Sequence, residues 1–186
     1  MSSDETKQYI KSHIKNVRKG MRELAGIIVS RSDEHDASKL EDPELSGYIK
    51  MDQEPRYPYG TKEYKEKMER YSWLFKQHWK MNRHHPEFFK DIGGFESQAN
   101  LIDVIEMLCD WLSYKNSLTY LDATKLVSQQ CKRFHFSETM ENLLMNTLRD
   151  YFVDLGGFKD IKQNQDNEFY RKNSLSGYTP IMDIKV

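Results

Sequence analysis

Proline is scarce in this chain, with five in 186 residues, and glycine contributes only nine. Both residues punctuate helices, so their scarcity leaves room for long uninterrupted helical segments. Cysteine is scarcer still. Two residues, Cys109 and Cys131, cannot build a disulfide framework, and both sit in amphipathic runs where buried thiols are expected rather than a bridge. No apolar run approaches membrane-spanning length, and the opening "MSSDETKQYI" lacks the apolar centre of a secretory signal. An intracellular, cytoplasmic protein without a membrane partner is the expectation. Charge of one sign is also missing, since 28 Lys and Arg stand against 29 Asp and Glu for a net −1. A dedicated nucleic-acid binder carries a clear basic excess, so none is expected here, although local basic patches remain open. What is present is ordinary for one domain with a real core: 38% hydrophobic and 31% charged residues.

The periodicity is helical throughout. Ile10, Ile14, Val17, Met21, Leu24 and Ile28 alternate steps of four and three, which predicts a helix capped by Ser3 or Thr6. Residues 32–47 predict a short helix or turn-and-helix that ends near Pro43. "MDQEPRYPYG" predicts a loop placed to act as a lid. A second long helix is expected over 61–81, with Tyr64, Met68, Tyr71, Phe75, His78 and Asn82 on one stripe. A third runs from Leu101 to about Tyr114, with Ser97 as its cap. Weaker patterns cover 120–133 and 137–155, the last stopped by Gly156–Gly157. Residues 157–186 read as a polar tail. The expected architecture is a single-domain all-α bundle of five to seven helices over 1–156.

Five of the six histidines fall in the first half: His13, His35, His78, His84 and His85. His13 and His78 lie on or beside apolar stripes and are expected to point inward. Asp103, Met107 and Asp110 share one face of the third helix, with Glu106 at its edge. Imidazoles and carboxylates facing inward from several helices need mutual pairing or a cation, because buried polar groups are costly when unsatisfied. Asp103 and Asp110 have a plainer alternative as carboxylates pairing with Lys115 or Arg83. His135, in "KRFHFSE", is expected to be structural.

The order His13, His35–Asp36, His78, His84–His85, Asp110 resembles the HD superfamily of metal-dependent phosphohydrolases, especially its two-metal branch. "HDASK" is similar to that superfamily's HD-x-G-K segment, with Ser38 in place of the glycine. The combination "EHDASKL…NRHHPEFF…VIEMLCDWL" resembles small HD-like proteins common in phages and bacteria, over about residues 5–116. The segment after the doublet lacks the Gly-Tyr-Pro signature of cyclic-dinucleotide phosphodiesterases, so that substrate is not implied.

This resemblance implies a bundle of the HD type and a hydrolase acting on a nucleotide or related phosphate ester. It makes His13, His35, Asp36 and Asp110 ligands of a first metal. Asp36 would bridge to a second, held by His78 and one or both of His84 and His85. One or two divalent ions are implied; mixed nitrogen and oxygen donors suit Mn, Fe, Co or Ni, with Mg possible. Lys39 and Arg83 are candidate phosphate contacts beside the catalytic Asp36. Glu106 is a candidate for orienting a ligand histidine, and Asp103 or Glu106 for replacing or assisting Asp110. Two other activities fit the same residues: a non-catalytic HD-like module that binds a nucleotide, and a di-iron HD-type oxygenase.

Overall fold

The computed structural model describes residues 2–113 and 118–154. Among the described residues there are helices and no strands, as the periodicity predicts. None of these helices is long and apolar enough to cross a membrane. The chain divides into two compact units, Met1–Ala37 and a second that begins at Ser38. The expected polar tail and the Gly156–Gly157 stop lie outside the described residues, as do Tyr114 and Lys115.

The first unit is essentially one helix, α1 (Ser3–Glu34), 32 residues long. Its cap is Ser2 rather than Ser3 or Thr6. The Ser2 hydroxyl accepts from the Glu5 N–H at 3.3 Å, and the Glu5 carboxylate accepts from the Ser2 N–H at 2.6 Å. This reciprocal capping box satisfies two donors that the helix start would otherwise leave open. The helix ends at His35 in an extended conformation, and Asp36 follows in the left-handed region at φ 56°. Aspartate is among the few non-glycine residues that tolerate this conformation. The apolar stripe of α1 does not form a core, for no residue of the helix is buried.

A 3₁₀ turn (Ala37–Leu40) leads into the second unit, whose first helix is α2 (Glu44–Gln53). Pro43 begins this helix instead of ending one, as its fixed φ and missing N–H allow. Met51, Asp52 and Gln53, expected in the loop, are therefore helical. The helix expected over 61–81 is two helices, α3 (Lys62–Arg70) and α4 (Ser72–Met81), which part at Tyr71. No proline or glycine announces this break. Long-range contacts accompany it: Lys67 donates to the carbonyls of Glu54 and Pro55, while Arg70 and Tyr71 both hold the Glu54 carboxylate. The start of the supposed lid is thus pinned to α3.

A 3₁₀ segment (Pro86–Ile92), the short α5 (Phe95–Gln98), α6 (Leu101–Ser113), α7 (Tyr120–Phe134) and α8 (Glu138–Asp154) complete the unit. Its core joins Phe89, Phe95, Met107, Trp111, Val127, Leu144 and Leu148. Truncating fully buried Phe89 to alanine is expected to destabilise the fold by about 3–5 kcal/mol through lost contact and a residual cavity. Asn100, not Ser97, caps α6, accepting from the N–H groups of Ile102 and Asp103. His135 closes α7 in the left-handed conformation and is exposed, in keeping with a structural role.

A candidate metal centre in the second unit

Three imidazoles meet where α4 passes into the 3₁₀ segment. His78 lies on the buried face of α4, seven residues after Tyr71. The chain then extends at Asn82 and turns, with the His85 N–H donating to the Asn82 carbonyl at 3.2 Å. That turn folds the His84–His85 doublet back toward His78. The ring centroids of His78 and His85 are 4.8 Å apart, and those of His84 and His85 are 4.2 Å apart. One ligand atom from each of the three histidines lies within 4.8 Å of the others, and His84 and Asp110 meet the same limit.

Each buried imidazole of this cluster has a carboxylate on its Nδ1. Glu44 of α2 reaches His78 Nδ1 at 2.9 Å, with both side chains almost fully buried. Glu106 of α6 reaches His84 Nδ1 at 3.0 Å. An ionised carboxylate accepts the Nδ1–H and fixes the tautomer, which puts the imidazole lone pair on Nε2. The Asn82 amide also lies 3.0 Å from His78 Nδ1, but its two N–H groups are aimed at Ser38 Oγ and the His78 carbonyl. It flanks the ring without competing for Glu44. Ser38 in turn donates to Glu44 at 3.2 Å. The residue that replaces the glycine of the HD-x-G-K pattern is therefore a bridge between Asn82 and Glu44.

Close helix packing sets this arrangement. A Cβ on Gly47 would stand 2.8 Å from Leu74 Cδ1, so only glycine lets α2 approach α4 this closely. Glu44 is one turn earlier on the same helix and is carried to His78 by that approach. On the other side, α6 presents Asp103, Glu106 and Asp110 at steps of three and four. Buried Asp103 takes the Arg83 guanidinium in a two-pronged pair, at 3.1 Å to Nε and 2.8 Å to a terminal nitrogen. Glu106 takes the next residue, His84. Glu87, just beyond the doublet, pairs with Arg133 of α7 at 3.3 Å. Burial raises the Glu87 carboxyl above its ordinary range, and the Arg133 charge draws it partly back.

The expected site residues fall in both units. His78, His84 and His85 come together in the second unit, and Asp110 lies beside His84. His35 and Asp36 lie together in the first, 3.5 Å apart at the end of α1. His13 does not join His35: the helix that carries His13 continues to its cap at His35, 22 residues and about 33 Å further along the axis. His13 is exposed instead of pointing inward. Arg83 is committed to Asp103 and packs over the Phe88 and Phe89 rings, which makes it a brace for the doublet. Lys39 lies 5.9 Å over the Tyr48 ring, half-buried. Glu44 was missing from the expected set, and only its place in the first turn of a helix that begins at a proline hinted at it.

The fold is all-α, and the cluster is a set of imidazoles and carboxylates that could hold a metal ion. The chain belongs to DUF5662, a family of unknown function whose model matches residues 2–150. No curated protein and no solved structure matches it.

Proposed function

We propose that this protein is a metal-dependent phosphohydrolase acting on a nucleotide or related phosphate ester in the cytoplasm. The observation that carries the reading is the paired one above: His78 and His84 each give Nδ1 to a carboxylate, which directs Nε2 into a cluster shared with His85 and near Asp110. Metal-ligating histidines are typically held this way. Three imidazoles and a carboxylate also suit a divalent transition ion better than a closed hydrogen-bond network among like donors.

In this reading His78, His84 and His85 hold one ion, with Asp110 beside His84. The resemblance to HD hydrolases adds His35 and Asp36, and Asp36 stands only two residues before Ser38, the bridge to Glu44. A bound divalent ion supplies a water acidified toward neutral pH and a clamp on a phosphoryl oxygen. The chain's own contributions are these. Glu44 and Glu106 keep the proton on Nδ1 and hold the ring planes. Asp36, by that resemblance, adds a carboxylate ligand. Lys39 places an ammonium for the phosphate charge.

The test begins with metal-free protein titrated with Mn, Fe, Co and Ni by calorimetry, followed by a screen of nucleotides and phosphoesters for phosphate release. Binding that His84→Ala abolishes, with turnover lost in Asp36→Asn, is the expected result. A folded wild type that binds none of the four metals sinks the proposal. Ligand binding without turnover under every metal leaves a non-catalytic module, and oxygen uptake by the iron form leaves an oxygenase.

A further inference from the structure

Helix α1 carries a second surface that the metal-centre reading does not use. Ile10, Ile14, Val17, Met21 and Leu24 are all exposed, Met21 to 67%, and Ile28 continues the row. At 100° per residue the six side chains fall within an arc of about 80°. That is narrower than the face a helix lays on a globular core, and it has the 3.5-residue period of a coiled-coil seam. Charge is arranged beside it. From Thr6 to Arg22 there is no acidic residue, while Lys7, Lys11, Lys15, Arg18, Lys19 and Arg22 fall in an adjacent arc of about 120°. All six lie on one side of the seam. The other side carries Tyr9, His13, Gly20 and Ile27.

We propose that α1 docks an acidic amphipathic helix of another protein, one with its own heptad seam and Asp or Glu along the flank that meets Lys11 and Arg18. A second copy of α1 does not supply that flank. In an antiparallel pair the basic side meets itself, and in a parallel pair it meets His13, Gly20 and Ile27, none of which is acidic. An anionic lipid surface is matched less well, since a helix lying on a membrane has a broad apolar face and aromatic anchors. This seam is narrow and aliphatic, and its basic residues extend away from it on one side only. A partner helix gains both from burial of the seam and from charge complementarity, which sets register and association rate.

The experiment uses the full chain and three probes: a four-heptad peptide with Leu in its seam and Glu on both flanks, the same peptide with Lys on both flanks, and vesicles containing phosphatidylserine. Fluorescence anisotropy is expected to show the Glu peptide binding and the Lys peptide not binding. Affinity should fall about tenfold or more in Val17→Glu/Met21→Glu and in Lys11→Glu/Arg18→Glu, and it should weaken with salt. Both double variants change exposed positions only, and circular dichroism confirms that the helix persists. Absence of Glu-peptide binding, equal binding of both peptides, or unchanged affinity in either variant overturns the proposal. So does sedimentation showing a dimer that Met21→Glu dissolves, which makes a second copy the occupant. Vesicle flotation lost in Met21→Glu overturns it in favour of lipid.

Discussion

His13 and His78 occupy comparable places in the sequence, each associated with an apolar helical stripe, and they meet opposite fates. Along α1 the stripe is uncovered, and His13 is exposed with it. On α4 the stripe is covered, and His78 is buried against Glu44. A 3.5-to-3.6-residue repeat establishes that a segment is helical and which face is apolar. It does not say what lies on that face. The difference comes from the neighbour: α2 reaches α4 because Gly47 removes the one Cβ in the way, and it brings the carboxylate that a buried imidazole needs.

The largest expected effect comes from breaking a covered pair and comparing it with an uncovered one. Asp103→Ala strands the Arg83 guanidinium against two phenylalanine rings and removes the carboxylate that accepts from the Asn100 N–H at 3.0 Å. The Arg83 side chain is 38% exposed, so water takes up part of the lost pairing and the change destabilises by about 1.5–3 kcal/mol. Thermal melting should shift down by roughly 3–12 °C. Lys19, which reaches Glu23 at 3.7 Å on exposed α1, is the control, and Lys19→Ala should leave the melting curve in place. A similar small shift in both would remove the contrast between the two regions. Gly47→Val is next. Its side chain must displace fully buried Leu74, at about 1–3 kcal/mol for an overpacked contact. Because the same displacement draws Glu44 from His78, metal affinity should fall along with stability. A stable variant with unchanged affinity would mean that Gly47 does not position the pair. Glu106→Gln keeps the shape at His84 but weakens its hold on the Nδ1 proton; metal affinity should drop about 10–100-fold by calorimetry while stability changes little.

The parts of this molecule legible in the sequence are those decided locally. Helix existence, the limits of α6, α7 and α8 to within a few residues, and the all-α class follow from short-range periodicity and the scarcity of breakers. The histidine doublet and Asp110 were also readable, because imidazoles and carboxylates at inward positions require an explanation. What was not readable depended on contacts distant in sequence. The division at Tyr71 accompanies the hold of Lys67, Arg70 and Tyr71 on Glu54, thirteen to seventeen residues away. Glu44 reaches His78 across 34 residues. Arg83 looked like a solvent-facing or phosphate-binding group until Asp103, twenty residues on, was seen to hold it. His13 differs for another reason: one uninterrupted helix without a proline separates it from His35, although Gly20 and Gly26 lie within it.

The two cysteines provide the mildest version of the comparison, an exposed thiol on α6 and a buried one on α7. Burial pushes the Cys131 thiol up to about 11 from an ordinary 9.0, with the charges of Glu141 and Glu96 adding to the effect. The native thiol therefore stays protonated at pH values where the unfolded chain has lost its proton. Full stability is present below about pH 9, and the Cys131 contribution declines as pH rises toward 11, because deprotonation favours the unfolded chain across that window. Reactivity follows the thiolate and its access. Burial and the Asp110 and Glu106 charges also push the Cys109 thiol up, which slows it. Its exposure still lets a chromogenic disulfide reagent at pH 8 label it first, one thiol per native chain, with the second labelled only in denaturant. Cys131→Ala should leave the fast phase intact, remove the slow one, and flatten part of the stability decline between pH 9 and 11. Two fast thiols in the wild type would place Cys131 on a face that opens freely, and the covered side of the contrast would then stop short of α7.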